Sequence, residues 1–382
     1  MKILAVGGGS GGHVTPVVAV FRELKSSQPS AEIRFWCDRK FGPQAKSIVS
    51  KYDASIKVDQ IVSGKLRRYN TMPLIKQLTT PSIIFPNLRD LLLVGAGFIQ
   101  SFFKLLLWRP DVVFTKGGFV CLPVGYAASL LRIPLVIHDS DAHPGLTNRL
   151  LARHATAIAT GSPLEYYKYP KDRSHYVGIP VDSSFYPRQA EDQARLKSIL
   201  GFNPDRPLVV VTGGGLGAVR INNAIADGLG SLLDTTSVML ISGMNQYDEL
   251  KSRLPAHQDF KLEAFVSEKM SDVLAAADVV VARAGATTLL ELAALKKPTI
   301  IVPNGLLTGG HQLKNAKVYL DSRAIDVVDE NEMVNDPQVL VRTITDLIAD
   351  DKRRLAMGEA FYEFARPKAA RDMADLILQA TA

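Results

Sequence analysis

Two glycine runs stand where a chain could meet phosphate. Gly7-Gly8-Gly9-Ser10-Gly11-Gly12 follows the apolar run Lys2 to Val6, and Gly213-Gly214-Gly215-Leu216-Gly217 follows Pro207 to Thr212. Backbone N–H groups exposed at the start of a helix attract anions, and glycines let a phosphate come close. Gly7, Gly9 and Gly12 fit the G-x-G-x-x-G dinucleotide pattern, with Asp38 placed for a ribose hydroxyl, but five glycines in six residues fit many patterns. A tight structural turn is the competing reading for either run. Two runs at matching places favour two phosphate-bearing ligands facing each other across a cleft. The nucleoside-triphosphatase pattern G-x-x-x-x-G-K-[ST] does not occur, and the G-x-S-x-G formed by Gly8 to Gly12 has no triad order behind it, which sets a serine hydrolase aside.

Other side chains with chemical potential lie beside strand ends. His13 follows the first glycine run; with a pKa near neutrality it can bind a ligand or take a proton, or else it caps or packs. His138-Asp139-Ser140-Asp141 closes a short apolar run at Ile137, where open α/β sheets bind ligands. Asp139 and Asp141 are candidate general bases. Asp-x-Asp as a divalent-metal pair lacks further ligand spacing, and capping of Thr147-Asn148-Arg149 is the structural alternative. Thr288-x-x-Glu291, within Arg283 to Glu291, reads as a capping box, or Glu291 grips a ribose diol. Gly309-Gly310-His311-Gln312-Leu313-Lys314-Asn315 opens a helix whose amides, Gln312 and Asn315, suit sugar hydroxyls.

The elements that must position these residues alternate. Strands at Lys2 to Val6, Glu32 to Cys37, Asp111 to Phe114 and Pro134 to Ile137 are separated by helical segments such as Val124 to Leu131. The pattern restarts with Pro207 to Thr212, Val238 to Ile241, Val279 to Ala282 and Thr299 to Val302, with helices at Ser271 to Ala276 and Leu289 to Leu295. The predicted class is α/β: two tandem Rossmann-like, doubly wound domains. The expected boundaries are 1–162, a linker and hinge over 163–189, and 190–367, with a last helix in 368–382 open to packing on either domain, the first included.

Composition narrows the class further. The 382 residues are 47% apolar, and 45 Lys and Arg against 38 Asp and Glu leave a net charge of +7. Two cysteines, Cys37 and Cys121, cannot build a disulfide framework, and no Cys/His spacing suggests structural zinc, so a reducing cytoplasm is expected. The start of the chain lacks the apolar region of a secretory signal. Between Ile61 and Pro110 stand seven basic residues, Lys65, Arg67, Arg68, Lys76, Arg89, Lys104 and Arg109, against Asp90 alone, beside Leu91 to Phe103 and Leu105 to Trp108. Basic charge beside apolar residues with an interfacial aromatic reads as a patch for an anionic membrane surface, formed by Arg67, Arg68, Lys104 and Trp108. An ordinary core helix is the alternative. The apolar weight argues against nucleic acid.

In order along the chain, Gly8-Gly9-Ser10-Gly11-Gly12-His13-Val14-x-Pro16, Lys116-Gly117-Gly118-Phe119, His138-Asp139 with Gly145-Leu146-Thr147-Asn148, Gly213 to Ala218, Arg283-x-Gly285-Ala286-x-Thr288-x-x-Glu291 and Gln312-x-x-Asn315-Ala316 resemble the MurG family of glycosyltransferase family 28. These are UDP-N-acetylglucosamine transferases that complete the lipid-linked disaccharide-pentapeptide of peptidoglycan. The resemblance implies a B-type glycosyltransferase fold without a metal cofactor, peripheral on the cytoplasmic face of the membrane. The donor would be UDP-N-acetylglucosamine and the acceptor undecaprenyl-diphosphate-N-acetylmuramoyl-pentapeptide.

The resemblance also implies roles. Phe265 would cap the uracil, Val266 pair with it through backbone and Met270 line the same pocket. Glu291 would hold the ribose, Gly214, Gly215, Leu216, Gly217 and Ala218 with Ala286, Thr287 and Thr288 the diphosphate, and His311, Gln312 and Asn315 the sugar. Gly9, Ser10, Gly11, Gly12 and His13 would take the acceptor diphosphate, with His13, Asp139 or Asp141 as base. The chain departs from the family at Gly215 (usually serine), Asp139-Ser140-Asp141 (usually Glu-Gln-Asn), Phe119 (usually tyrosine) and Asp182 (commonly arginine). Because most departures lie on acceptor-side or hinge positions, the acceptor class is less fixed than the donor. The alternatives are transfer to another lipid such as diacylglycerol, or a non-catalytic nucleotide-sugar-binding subunit; a dehydrogenase explains only the first glycine run and Asp38.

Overall fold

A computed structural model describes residues 1–8, 14–66, 76, 79–214, 217–266, 269–305 and 310–381. The chain forms two compact units, Met1–Asp182 with Arg366–Ala382, and Ser183–Ala365.

The first unit is built on seven strands: β1 Lys2–Val6, β2 Glu32–Asp38, β3 Lys57–Ile61, β4 Val112–Thr115, β5 Leu135–Asp139, β6 Ala157–Thr160 and β7 Ser174–Tyr176. All neighbours pair in parallel, in the order β3-β2-β1-β4-β5-β6-β7. The strands read as unbroken apolar runs because both faces are covered. Ile3 and Ala5 pack on one side with Phe21, Phe35 and Phe114; Leu4 and Val6 pack on the other with Trp36, Leu105 and Val113. The final helix, Ala369–Gln379, places Met373 and Ile377 in the first of these cores, against the helix Thr15–Ser27. The stretch 163–182, read from sequence as linker, belongs to this unit. Its two 3-10 turns, Leu164–Tyr166 and Lys171–Arg173, and its three-residue strand β7 are too short to show periodicity.

The second unit repeats the plan with β8 Leu208–Thr212, β9 Ser237–Ile241, β10 Phe260–Glu263, β11 Val279–Ala282, β12 Thr299–Ile301 and β13 Asp326–Val327, ordered β10-β9-β8-β11-β12-β13. In each sheet the winding reverses beside the first strand, between β1 and β4 and between β8 and β11. Open parallel sheets bind ligands outside the carboxyl ends of the strands at this point.

The 28-residue helix Pro81–Trp108 covers one face of the first sheet. It comes close because Gly97 lies against the loop after β3: a Cβ there would be 1.9 Å from the Val62 carbonyl oxygen. Gly95, on the same helix, has nothing within 4 Å of such a Cβ. Gly97→Ala should therefore lower the unfolding free energy by about 1–3 kcal/mol through overpacking, whereas Gly95→Ala should raise it by up to about 1 kcal/mol through helix propensity. Chemical denaturation of the two variants checks the contrast, and equal effects would contradict it.

Candidate functional site

In the second unit, the turn after β8 is shaped by close backbone approach. Gly217 has φ +75°, and a Cβ on it would be 2.2 Å from the Ser242 carbonyl oxygen at the end of β9. Gly213 is equally confined, its Cβ position lying 2.3 Å from Ala218 N. Gly214, φ +77°, faces open space, and its N–H donates to Thr212 Oγ1 at 3.2 Å. Behind the turn, Asn222 Nδ2 donates to Ser242 O at 2.9 Å and to Gln246 Oε1 at 2.8 Å, locking the β8 and β9 loops together. The following helix, Val219–Leu233, begins at buried Ala218 with no side-chain cap, so its first N–H groups are the anion-attracting kind. Gly215 and Leu216 lie outside the described residues.

The turn after β11 also leads into an uncapped helix, without the close backbone approach. Gly285 is the N-cap of the helix Ala286–Ala294, again without a side-chain cap. This corrects the capping-box reading: Thr288 sits inside the helix, not at its cap, because the helix starts as soon as β11 ends. Ala286, Thr287, Thr288 and Glu291 are half-buried along its start. Arg283 is committed to structure: it donates to Glu330 and, at 3.0 Å, to the Val302 carbonyl, while Arg220 holds the other oxygen of buried Glu330 at 3.0 Å.

Asn315 and Gln312 turn inward, in contrast to the expectation that both face sugar hydroxyls. Asn315, 2% exposed, donates to the Ala284 carbonyl at 3.2 Å and ties its helix, His311–Leu320, to the β11 turn. Gln312 Oε1 accepts from Asn304 N–H at 2.8 Å, which fixes the orientation of its amide. His311 is half-buried at the first position of that helix, after Gly310 at φ +57°. Phe265 is 51% exposed in the loop after β10, Val266 is half-buried beside it, and Met270 opens the helix Met270–Ala276. The loops after β8, β10, β11 and β12 thus carry the described donor candidates at one edge of one sheet.

In the first unit, Gly9, Ser10, Gly11, Gly12 and His13 lie outside the described residues. The backbone leading to them is tightly set: Gly118, φ +93°, would place a Cβ 2.8 Å from Gly8 O, and Gly8 would place one 2.5 Å from Asp38 Oδ2. Asp38 is buried and accepts the Phe41 N–H at 3.0 Å, which turns the chain into the next helix.

Sequence reasoning named Asp139 and Asp141 at the end of β5 but missed the burial of this polar cluster and its partners Tyr167 and Tyr169. Lys116 is 1% exposed and donates to Ser140 Oγ; burial pushes its ammonium down to about 8, against the pull of Asp141 and Asp139. Asp139 is 4% exposed, and burial pushes it up to about 7, although Tyr169 Oη donates to it at 2.7 Å; Asn148 Nδ2 donates to the neighbouring His138 carbonyl at 3.0 Å. Tyr167 donates to the Asp141 carbonyl at 2.8 Å and stacks on Tyr169. His138 Nε2 bonds the Gly178 carbonyl at 2.7 Å. Asp139 therefore anchors the loop that carries half-buried Asp141. Both tyrosines come from the aperiodic stretch after β6, where no local pattern signals a long-range bond. At the unit's edge Asp182 pairs with Arg22, so this position presents a carboxylate already bound to a cation.

Two of the expected membrane residues are also turned inward. Trp108 is 9% exposed, donates from Nε1 to Glu32 at 3.0 Å and carries Arg34 over its ring at 4.1 Å. Lys104 pairs with Asp59 at 3.6 Å and lies 5.4 Å from the Trp36 ring centroid. Arg67 and Arg68 lie outside the described residues.

Two family models match in sequence: the glycosyltransferase family 28 N-terminal domain over residues 3–160 and its C-terminal domain over residues 208–376. The chain belongs to glycosyltransferase family 28. This family 28 chain is 33% identical over 351 residues to a protein of Lachnospira eligens, covering 91% of each, named UDP-N-acetylglucosamine--N-acetylmuramyl-(pentapeptide) pyrophosphoryl-undecaprenol N-acetylglucosamine transferase. A Treponema denticola protein of the same name is 33% identical over 399 residues, covering 98% of this chain and 96% of that one. Among solved structures, Acinetobacter baumannii MurG superposes with a TM-score of 0.73 at 24% identity over 99% of both chains, and a Neisseria meningitidis UDP-GlcNAc 2-epimerase with 0.68 at 13% identity. These structures share the two-domain B-type fold with the family 28 chain.

The buried Asp139 makes stability depend on pH. Its folded pKa, about 7, is above its ordinary 3.8, so its contribution to stability is whole below 3.8 and is lost as pH rises through about 7. Asp139→Asn keeps an acceptor for Tyr169 and removes the titration. The melting temperature of the native protein relative to this variant should fall across that window and level off above it. A difference that stays constant with pH would contradict the assignment.

Proposed function

We propose that this chain transfers N-acetylglucosamine from UDP-N-acetylglucosamine to undecaprenyl-diphosphate-N-acetylmuramoyl-pentapeptide, with inversion at the anomeric carbon. One observation carries the reading: relatives matched over about nine-tenths of both chains share this activity in their names. The two uncapped helix N-termini flanking the switch point of the second sheet supply the electrostatics the donor diphosphate needs. Transfer to another lipid such as diacylglycerol, or a non-catalytic role, has no comparable support.

In this reading the acceptor hydroxyl attacks the anomeric carbon as UDP leaves. The departing diphosphate gains negative charge, and the N–H groups at Ala218–Val219 and Gly285–Ala286 stabilise it in place. Phe265 covers the uracil and Glu291 holds the ribose. Asn315 acts indirectly, by fixing the Ala284 carbonyl and so the Gly285 turn. The acceptor diphosphate rests on Gly9 to Gly12. Asp139 is buried and accepts from Tyr169, and of His13 and Asp141 we assign His13 as the base. No resident metal is part of the proposal; among the described residues no three His, Cys, Asp or Glu side chains converge as a ligand set.

The lipid places the reaction at a membrane. The helix Pro81–Trp108 is long and apolar enough to cross one by length and composition. Its Leu105 and Trp108 are committed to the core, so in this reading it lies on the anionic cytoplasmic surface with its other side. That side shows Phe85 and Leu92, each 70% exposed, and Leu107, 86% exposed, with exposed Arg109 at its end. This apolar face takes the place expected of Lys104 and Trp108.

Purified protein given the donor and the undecaprenyl-linked acceptor should release UDP and form the disaccharide lipid, with EDTA having no effect. His13→Ala should lower kcat by about 10²–10⁴, and Glu291→Ala should raise the KM for the donor alone. Release of UDP only with diacylglycerol would overturn the acceptor assignment. Leu92→Glu with Leu107→Glu should reduce sedimentation with phosphatidylglycerol vesicles while sparing UDP binding; unchanged sedimentation would contradict the membrane face.

A further inference from the structure

A cavity of about 710 Å³ opens in the first unit where the ends of β2 and β3 meet the helix Pro81–Trp108 and the turn after β4. Its volume lies within the roughly 300–1,000 Å³ typical of sites for small organic ligands. Its charged lining is Arg39, Lys40, Lys65 and Arg89 against Asp38 and Asp90. Both carboxylates are 3% exposed and engaged, Asp38 with the Phe41 N–H and Asp90 with Arg89 at 3.0 Å. Arg39, Lys40 and Lys65 are exposed and have no carboxylate partner among the described residues. Ser63 Oγ, on the same lining, is buried without a hydrogen-bond partner among the described residues.

The cavity is built. Gly64 presses the loop after β3 onto the helix, since a Cβ there would be 2.0 Å from the Asp90 carbonyl oxygen, and this sets Ser63 and Lys65 at the rim. It also adjoins the first glycine turn. Asp38 sits against Gly8, and Phe119, on the lining, follows the Gly118 that approaches Gly8 O. A ligand whose diphosphate rests on that turn would extend its next groups into this space.

We propose that the cavity receives the peptide of the acceptor, with Arg39, Lys40 and Lys65 binding its carboxylates. The inference rests on the transferase reading. A pentapeptide ends in a carboxylate, and unpaired cations beside a polar cavity bind such a group through charge-assisted hydrogen bonds and attract it from solution. The exposed apolar side of the helix lies next to the cavity, so one acceptor can place its lipid over the helix and its peptide inside.

The test compares the native protein with Arg39→Ala/Lys40→Ala and with Lys65→Ala on two acceptors, undecaprenyl-diphosphate-N-acetylmuramate with and without the pentapeptide. Loss of these cations should raise the KM for the peptide-bearing acceptor about tenfold, leave the peptide-free acceptor within about twofold, and leave the KM for the donor unchanged. An equal rise for both acceptors would mean that the cations read the diphosphate or the membrane and would overturn the inference, as would no rise for either. A second readout uses lipid-free, fluorescein-labelled N-acetylmuramoyl-pentapeptide followed by anisotropy. Binding by the native protein that the double variant weakens about tenfold supports the site, and no binding by the native protein overturns it. Peptide binding without transfer to any undecaprenyl acceptor would sink the transferase reading while leaving the peptide site standing.

Discussion

Beside the first strand of each sheet a backbone carbonyl comes closer to a glycine than any side chain would permit. Gly118 meets the carbonyl of Gly8, and Gly217 meets that of Ser242. The adjacent turns can be short only because of this contact, and short turns deliver the next helix N-terminus directly at the sheet edge. The helices Val219–Leu233 and Ala286–Ala294 carry no side-chain cap. In an ordinary helix a serine, threonine or aspartate would satisfy those N–H groups. For Val219–Leu233, the availability of those groups to an anion and the absence of a Cβ that would obstruct it have one structural cause, the close approach at Gly217.

A second constraint follows from the parallel sheets. Both faces are buried, so functional side chains are confined to the carboxyl edge and to the outer sides of the covering helices. At the edge of the first sheet the result is a buried polar cluster, in which Lys116 donates to Ser140, Tyr169 to Asp139 and Asn148 to the His138 carbonyl, at a cost in desolvation. On the outside, the helix Pro81–Trp108 divides its work. Trp108 and Lys104 face inward to Glu32, Asp59 and Trp36, while Leu92 and Leu107 stay exposed.

Much of this was legible in the sequence, and the limits have physical reasons. The central strands of both sheets and their glycine turns announced themselves as apolar runs followed by glycine. The edge strands β3, β7, β10 and β13 and the four-residue β6 did not, because half-exposed or very short strands such as Lys57–Ile61 and Ser174–Tyr176 leave no long apolar run. Motif residues were found as positions, but orientation was hidden. Asn315 and Gln312 read as sugar ligands, whereas Asn315 spends a hydrogen bond on the Ala284 carbonyl, distant in sequence, and Gln312 one on the nearby Asn304 N–H. Trp108 read as interfacial for a like reason: its partner Glu32 is on another strand. Composition placed six of the seven net positive charges between Ile61 and Pro110. Structure divides that charge among a cavity rim at Lys65 and Arg89, an inward ion pair at Lys104 and the helix end at Arg109.

The central claim is that the nucleotide diphosphate is held by backbone at the switch point of the second sheet. Hydrogen–deuterium exchange with and without UDP-N-acetylglucosamine tests it most directly. Amides of residues 213–222 and 284–291 should exchange more slowly when the donor is present, with those of the first unit's glycine turn unaffected. Protection confined to the first unit, or no protection near residues 213–222, would contradict the account.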